Sequence, residues 1–264
     1  MKKLLLPGLL VTFLTTPVSA MAQSAFDGTW KFELSTAQFP EKPDVYLIQD
    51  GMYSCKSCVP PIEVKADGQD QKVGGYPYFD TLSVKIVDDH TIELTNKKAG
   101  KVNGTSKSTV SPDGNTLTFA FSDSSNTNAD PVTGKGEATR VAKGPAGANL
   151  ISGSWRTTKM DNLSDNGLLV TFKVDGDTLT MTAPTGQSYT AKLDGTEAPY
   201  KGDPGTTSVS VKRTGKNSFE ETDKRDGKVI SVAQNTVSPD GKTLTVAVTD
   251  TLHGTTSKFE AKKQ

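Results

Sequence analysis

The chain has 264 residues, 30 basic and 30 acidic side chains, two cysteines and two histidines, and 34% hydrophobic residues. Balanced charge gives no electrostatic case for binding nucleic acid or an anionic membrane surface. So few apolar residues predict thin cores rather than thick layered ones.

Residues 1–22 read as a signal peptide. Lys2 and Lys3 form a positive start, Leu4 to Val18 is mostly apolar, and Ala20-Met21-Ala22 offers small residues for cleavage. The apolar stretch is short and broken by Pro7, Gly8 and Pro17, which argues against a transmembrane helix. No second apolar run of spanning length follows, so the mature chain is expected to be soluble, without a membrane span, and periplasmic or secreted from a bacterium. Loss of the two lysines leaves a net charge of −2.

From residue 28 onward the pattern is strand after strand. Trp30, Phe32 and Leu34 alternate with Thr29, Lys31 and Glu33; Leu82, Val84 and Ile86 alternate with Ser83 and Lys85; Leu117, Phe119 and Phe121 alternate with Thr116, Thr118 and Ala120. A period of two places one face in a core and the other in water, as in antiparallel sheet. Nine strands are predicted over 28–34, 44–49, 52–56, 61–66, 80–87, 91–97, 101–111, 115–123 and 134–142. Asp50-Gly51, Ala99-Gly100 and Asp113-Gly114 supply the positive-φ positions of tight hairpins.

The second half repeats the first. Residues 80–123 align without a gap onto 207–250, and 20 of 44 positions are identical, against about 3 expected by chance. Gly28-Thr29-Trp30 is answered by Gly153-Ser154-Trp155. The expected fold is therefore all-β: two tandem antiparallel meander barrels of about eight to nine strands each. The modules are residues 23–143 and 151–264, joined by a linker at 144–150. Closure into barrels removes exposed sheet edges.

The Gly-x-Trp on the first strand of such a module resembles the lipocalin-like, or calycin, barrels. That resemblance implies a Trp closing the barrel bottom beneath a basic residue from a late strand. Arg140 would serve in module one, and Lys258 or Lys262 in module two. It also implies a small apolar ligand. The chain further resembles uncharacterised secreted bacterial proteins, which implies no mechanism.

Cys55 and Cys58 form the only Cys-x-x-Cys. A redox pair wants a helix starting at the motif, but Val59-Pro60-Pro61 follows. A metal needs two further ligands that two histidines hardly provide. An exported chain meets oxidising conditions, so a disulfide across a hairpin turn is expected, with Thr182 and Thr185 in the matching places of module two. His90 and His253 read as loop residues. No Ser-His-Asp or similar constellation is visible, so no catalytic residue, metal site or cofactor is assigned and the protein is read as a non-enzyme. Lys85 and Glu93, duplicated as Lys212 and Glu220, read as outward cross-strand pairs.

The copies differ most at residues 67–79, where only module one gathers Tyr76, Tyr78 and Phe79. Function can reside in loops that differ on a shared scaffold. These three, with Trp30 and Arg140, are the candidate ligand-binding residues. The same rings could instead plug the barrel. The leading reading is a binder of a small or apolar molecule, or of an envelope protein. The alternatives are a structural or interaction module with filled barrels, and an enzyme of unrecognised type.

Overall fold

A computed structural model describes residues 24–126 and 130–264; the signal-peptide reading lies outside them. The first ten strands in chain order are β1 (Gly28–Phe32), β2 (Asp44–Gln49), β3 (Met52–Cys55), β4 (Ile62–Lys65), β5 (Asp67–Lys72), β6 (Thr81–Ile86), β7 (Thr91–Lys98), β8 (Lys101–Val110), β9 (Thr116–Asp123) and β10 (Val132–Lys143). The others are β11 (Gly153–Leu163), β12 (Leu169–Asp175), β13 (Thr178–Thr182), β14 (Ser188–Lys192), β15 (Asp194–Lys201), β16 (Ser208–Gly215), β17 (Ser218–Arg225), β18 (Lys228–Val237), β19 (Thr243–Asp250) and β20 (Thr255–Lys263). All nine strands expected in the first repeat are present. The tenth, β5, falls in what reads from sequence as a loop; Asp-Gly-Gln-Asp-Gln-Lys carries no apolar alternation to betray it. Among the described residues no helix is long and apolar enough to cross a membrane.

The strands form two antiparallel barrels. One is closed and the other is a ten-stranded sheet left open only between β4 and β5. The turns that join them follow from their residues. At Asp50-Gly51, Ala99-Gly100 and Asp226-Gly227 both central residues have positive φ, between 49° and 79°, the geometry that matches the twist of a two-residue hairpin. The Ser-Pro-Asp-Gly turns are duplicated down to their hydrogen bonds. Gly114 N–H donates to Ser111 O, and Gly241 N–H to Ser238 O, each at 2.9 Å. The β6–β7 register pairs Leu82 with Asn96, Val84 with Leu94 and Lys85 with Glu93, as the alternation predicts. Lys85 and Lys107 flank Glu93 at 4.0 and 3.4 Å on the exposed face, where such pairs contribute about 0–1 kcal/mol.

The barrels do not follow the repeat boundaries at their first strands. β1 lies between β12 and β20 and closes the barrel of the second repeat. β11, which carries Trp155, lies between β10 and β2 and completes the barrel of the first. Residues 144–150 are thus the loop of the β10–β11 hairpin within one barrel. The chain crosses between barrels at residues 33–43 and again at 164–168. Loop length does not decide this: residues 144–152 join β10 to β11 and residues 33–43 join β1 to β2, spans of similar closure entropy. The first barrel is therefore one continuous segment, 44–163. The second combines 24–32 with 169–264.

Each tryptophan now seals the barrel it enters. Trp30 is fully buried, and its Nε1–H donates to Phe26 O at 2.9 Å. Trp155 is buried alike, donating to Ile151 O at 2.8 Å. The Arg140 guanidinium lies 4.0 Å from the Trp155 ring centre, and Lys263 Nζ lies 4.8 Å from that of Trp30. The cation-over-Trp arrangement exists, but the partners differ from those expected. Arg140 covers the tryptophan of the other repeat because β11 has replaced β1. Lys263, rather than Lys258 or Lys262, is the counterpart of Arg140: Thr116 pairs with Thr139, and Thr243 with Lys262, so the next residue in each strand matches.

Candidate functional site

The first barrel keeps space inside it. An inner cavity of about 280 Å³ is walled by Tyr46, Tyr53, Leu94, Phe119, Trp155 and neighbours. An outer cavity of about 440 Å³ is walled by Tyr78, Phe79, Asn96, Asn103, Phe121, Asp123 and others, including Gln187 and Asp203 from the second repeat. Ser106 lines both. These volumes fall near the lower end of ligand pockets, about 300–1,000 Å³.

The space has a cause in the sequence. Gly104, Ser106 and Ser108 place small side chains on the inner face of β8. Phe119 and Phe121 lie against glycines instead of filling the lumen. A Cβ at Gly134 would meet the Phe121 ring at 2.6 Å, and one at Gly136 would meet the Phe119 ring at 2.7 Å. In the second barrel the bulk is transposed: Val246 faces Phe259 where Phe119 faces Gly136. Ala233 and Asn235 replace Ser106 and Ser108 there, and Asn235 is buried.

The three loop aromatics divide in role. Tyr76 and Phe79 stack at 4.6 Å between ring centres. Tyr76 donates its hydroxyl to Pro60 O, so this pair covers the hairpin at Cys55 and Cys58. Those cysteines form the disulfide, in the turn between β3 and β4. Tyr78 reaches the other barrel, where its hydroxyl donates to Asp203 Oδ1 at 2.9 Å. Burial, then the Asp203 carboxylate, hold that hydroxyl well above the usual tyrosine range. Asn103 Nδ2 donates to Tyr78 O at 2.6 Å and fixes the loop over the outer cavity.

Tyr78 also packs on its own counterpart. Gly205 occupies the matching position of the second repeat, and a Cβ there would overlap the Tyr78 hydroxyl. A tyrosine in both copies would collide where the barrels meet. Part of the asymmetry between the loops is thus a requirement of the barrel–barrel contact.

Phe79 and Tyr78 therefore border the cavity, whereas Tyr76 backs it. Trp30 and Arg140 are elsewhere. Trp30 is buried in the second barrel, and Arg140 spends its donors on the carbonyls of Gly114, Ser152 and Leu150. Trp155 takes the cavity-lining place expected of Trp30.

Sequence reading missed a second feature, the carboxylates Glu221 and Asp223 on the inner face of β17. Tyr189 donates to Glu221 Oε2 at 2.6 Å, and Ser231 donates to Asp223 Oδ2 at 2.8 Å. Asp223 Oδ1 is buried without a hydrogen-bond partner among the described residues. Burial, reinforced by the Asp223 charge, pushes Glu221 up to about 8. Burial and the nearby Asp203 likewise raise Asp223. The signal was present in the repeat: Glu221 aligns with Leu94, whose side is inward. Glu220, the outward neighbour, instead accepts from Gln234.

His90 Nδ1 sits 2.9 Å from Val110 O, and His253 Nδ1 sits 2.6 Å from Asp250 Oδ2. Among the described residues no group of three His, Cys, Asp or Glu side chains is placed to hold a metal ion. No protein-family model matches the chain, and no curated protein matches it significantly.

Proposed function

We propose that this is an exported binding protein that carries one small, largely apolar molecule inside its first barrel. The observation that carries the reading is the paired cavity, which small side chains on β8 and ring-on-glycine packing keep open in one repeat while the other fills the same level with Val246, Phe259 and Asn235. Copies can share a scaffold while function resides where they differ. Aromatic walls give large contact area to an apolar guest at little conformational cost. Export to the periplasm or beyond is supported by the apolar N-terminal stretch and by the disulfide, which oxidising compartments favour. The covered tryptophans support kinship with lipocalin-like barrels.

The test uses the neutral fluorescent probe N-phenyl-1-naphthylamine on a Trp30→Phe variant. The chain has two tryptophans, so Trp155 is then the sole donor. The expected result is saturable energy transfer from Trp155 to one probe. Absence of saturable binding in both the wild-type protein and this variant would return the protein to the structural reading, as an envelope module with no guest.

A further inference from the structure

The charge around the chamber is one-sided. The outer cavity is lined by the carboxylates Asp123 and Asp203, the inner cavity by Asp44, and neither by any Lys, Arg or His among the described residues. Asp123 and Asp203 both act on the Tyr78 hydroxyl, so they converge on one side of the mouth. Lys42 and His253 line an adjoining cavity that shares Asp44, Trp155 and Thr157 with the inner one, and an opposing charge at the mouth is Arg225. Its Nε donates to Gly205 O, and its field also reaches Tyr78. Asp223, which feels the Asp203 charge, and Glu221 add further carboxylates on the side of the second barrel. The amides of Asn96, Asn103 and Gln187 complete a polar rim. Inward of this rim the wall turns aromatic, with Tyr53, Phe119 and Trp155.

Building on the small-molecule reading, we infer that the guest is a cationic amphiphile. A single ammonium group sits at the mouth between Asp123 and Asp203, and an aromatic or branched apolar arm enters the inner cavity. Low-dielectric walls strengthen the attraction of carboxylates for a cation. The aromatic faces add cation–π attraction that a neutral guest would forgo. An anion would meet two carboxylates and no cationic side chain among the described lining residues, which disfavours it by repulsion. The arm is limited by the inner volume of about 280 Å³, against about 150 Å³ for a cavity that takes benzene.

The experiment displaces N-phenyl-1-naphthylamine with three molecules of similar shape: 2-phenylethylammonium, 2-phenylethanol and 3-phenylpropanoate. The ammonium compound is expected to displace the probe at a concentration at least tenfold lower than either of the others. The double variant Asp123→Asn, Asp203→Asn should lose that preference, so that the ammonium compound and the alcohol displace the probe alike. Asparagine keeps an acceptor for Tyr78 O–H and for Gly205 N–H, both of which now donate to Asp203, so the fold should persist. Equal displacement by the alcohol, or stronger displacement by the acid, would overturn the cation assignment and leave the small-molecule reading standing. A preference that survives the double variant would overturn the two carboxylates as its source. If the neutral probe binds neither the wild-type protein nor the Trp30→Phe variant, the small-molecule reading falls and the cation assignment with it.

Discussion

Replacing Trp30 by alanine should unlock the barrel of the opposite repeat. The indole is fully buried, bonded to Phe26 O and covered by Lys263. Its strand holds β12 on one side and β20 on the other. A buried tryptophan covers roughly 150–250 Å²; at about 25 cal/mol per Å² its loss removes about 4–6 kcal/mol. Measured Trp-to-Ala changes in cores give about 3–5 kcal/mol. At about 1.4 kcal/mol per tenfold, amide protection should fall by about 100- to 3,000-fold. Hydrogen exchange read by mass spectrometry locates the loss. The account expects it across residues 169–264, with residues 44–163 still protected. Trp155→Ala should give the mirror image. A fragment cut along the barrel, 44–163, should fold, whereas one cut along the repeat, 23–145, lacks the Trp155 strand. Loss of protection in 44–143 after Trp30→Ala, with 169–264 intact, would refute the strand exchange.

Two further outcomes follow from the same structure. Glu221 binds its proton more tightly folded, at about 8, than at its ordinary value of 4.5. The native state therefore holds the extra proton between those values, and stability falls as pH rises through that window, levelling off above about 8. A tenfold change in proton affinity is worth about 1.4 kcal/mol, so the loss across the window is on the order of a few kcal/mol, with Asp223 acting in the same direction. Glu221→Gln, which still accepts from Tyr189, should match wild type in thermal midpoint near pH 4.5 and exceed it at pH 8.5; parallel curves would contradict the placement of this carboxylate. Replacing Cys55 and Cys58 together by the threonines of the second repeat should leave the fold intact and cost about 1–2 kcal/mol in urea unfolding, because the closed loop is so short. Thiol-dependent reduction of insulin by the native protein would instead favour a redox role.

Much of the architecture is legible because alternation and Asp-Gly turns act locally. The β6–β7 register follows from placing Val84 and Leu94 on one face. The strand exchange is not legible, because β1 and β11 carry the same Gly-x-Trp signature and compete for the same edges. β5 was hidden because a polar edge strand offers no periodicity. The chamber was hidden for a related reason: Phe119 and Phe121 read as filling residues until Gly134 and Gly136 are seen directly beneath their rings. Tyr78 and Phe79 could be found from the difference between copies, but that difference also reflects the close approach of Tyr78 to Gly205.

The central claim is that the first barrel is hollow for a guest. Ser106 borders both cavities, so Ser106→Phe places a ring between them. The direct measurement is the equilibrium titration of N-phenyl-1-naphthylamine into wild type and this variant, with thermal unfolding of each alongside. One site is expected in wild type, with at least a tenfold loss of affinity in Ser106→Phe and an unfolding midpoint that is retained or raised because the ring fills a cavity. Unchanged probe affinity in a folded Ser106→Phe protein would contradict the claim.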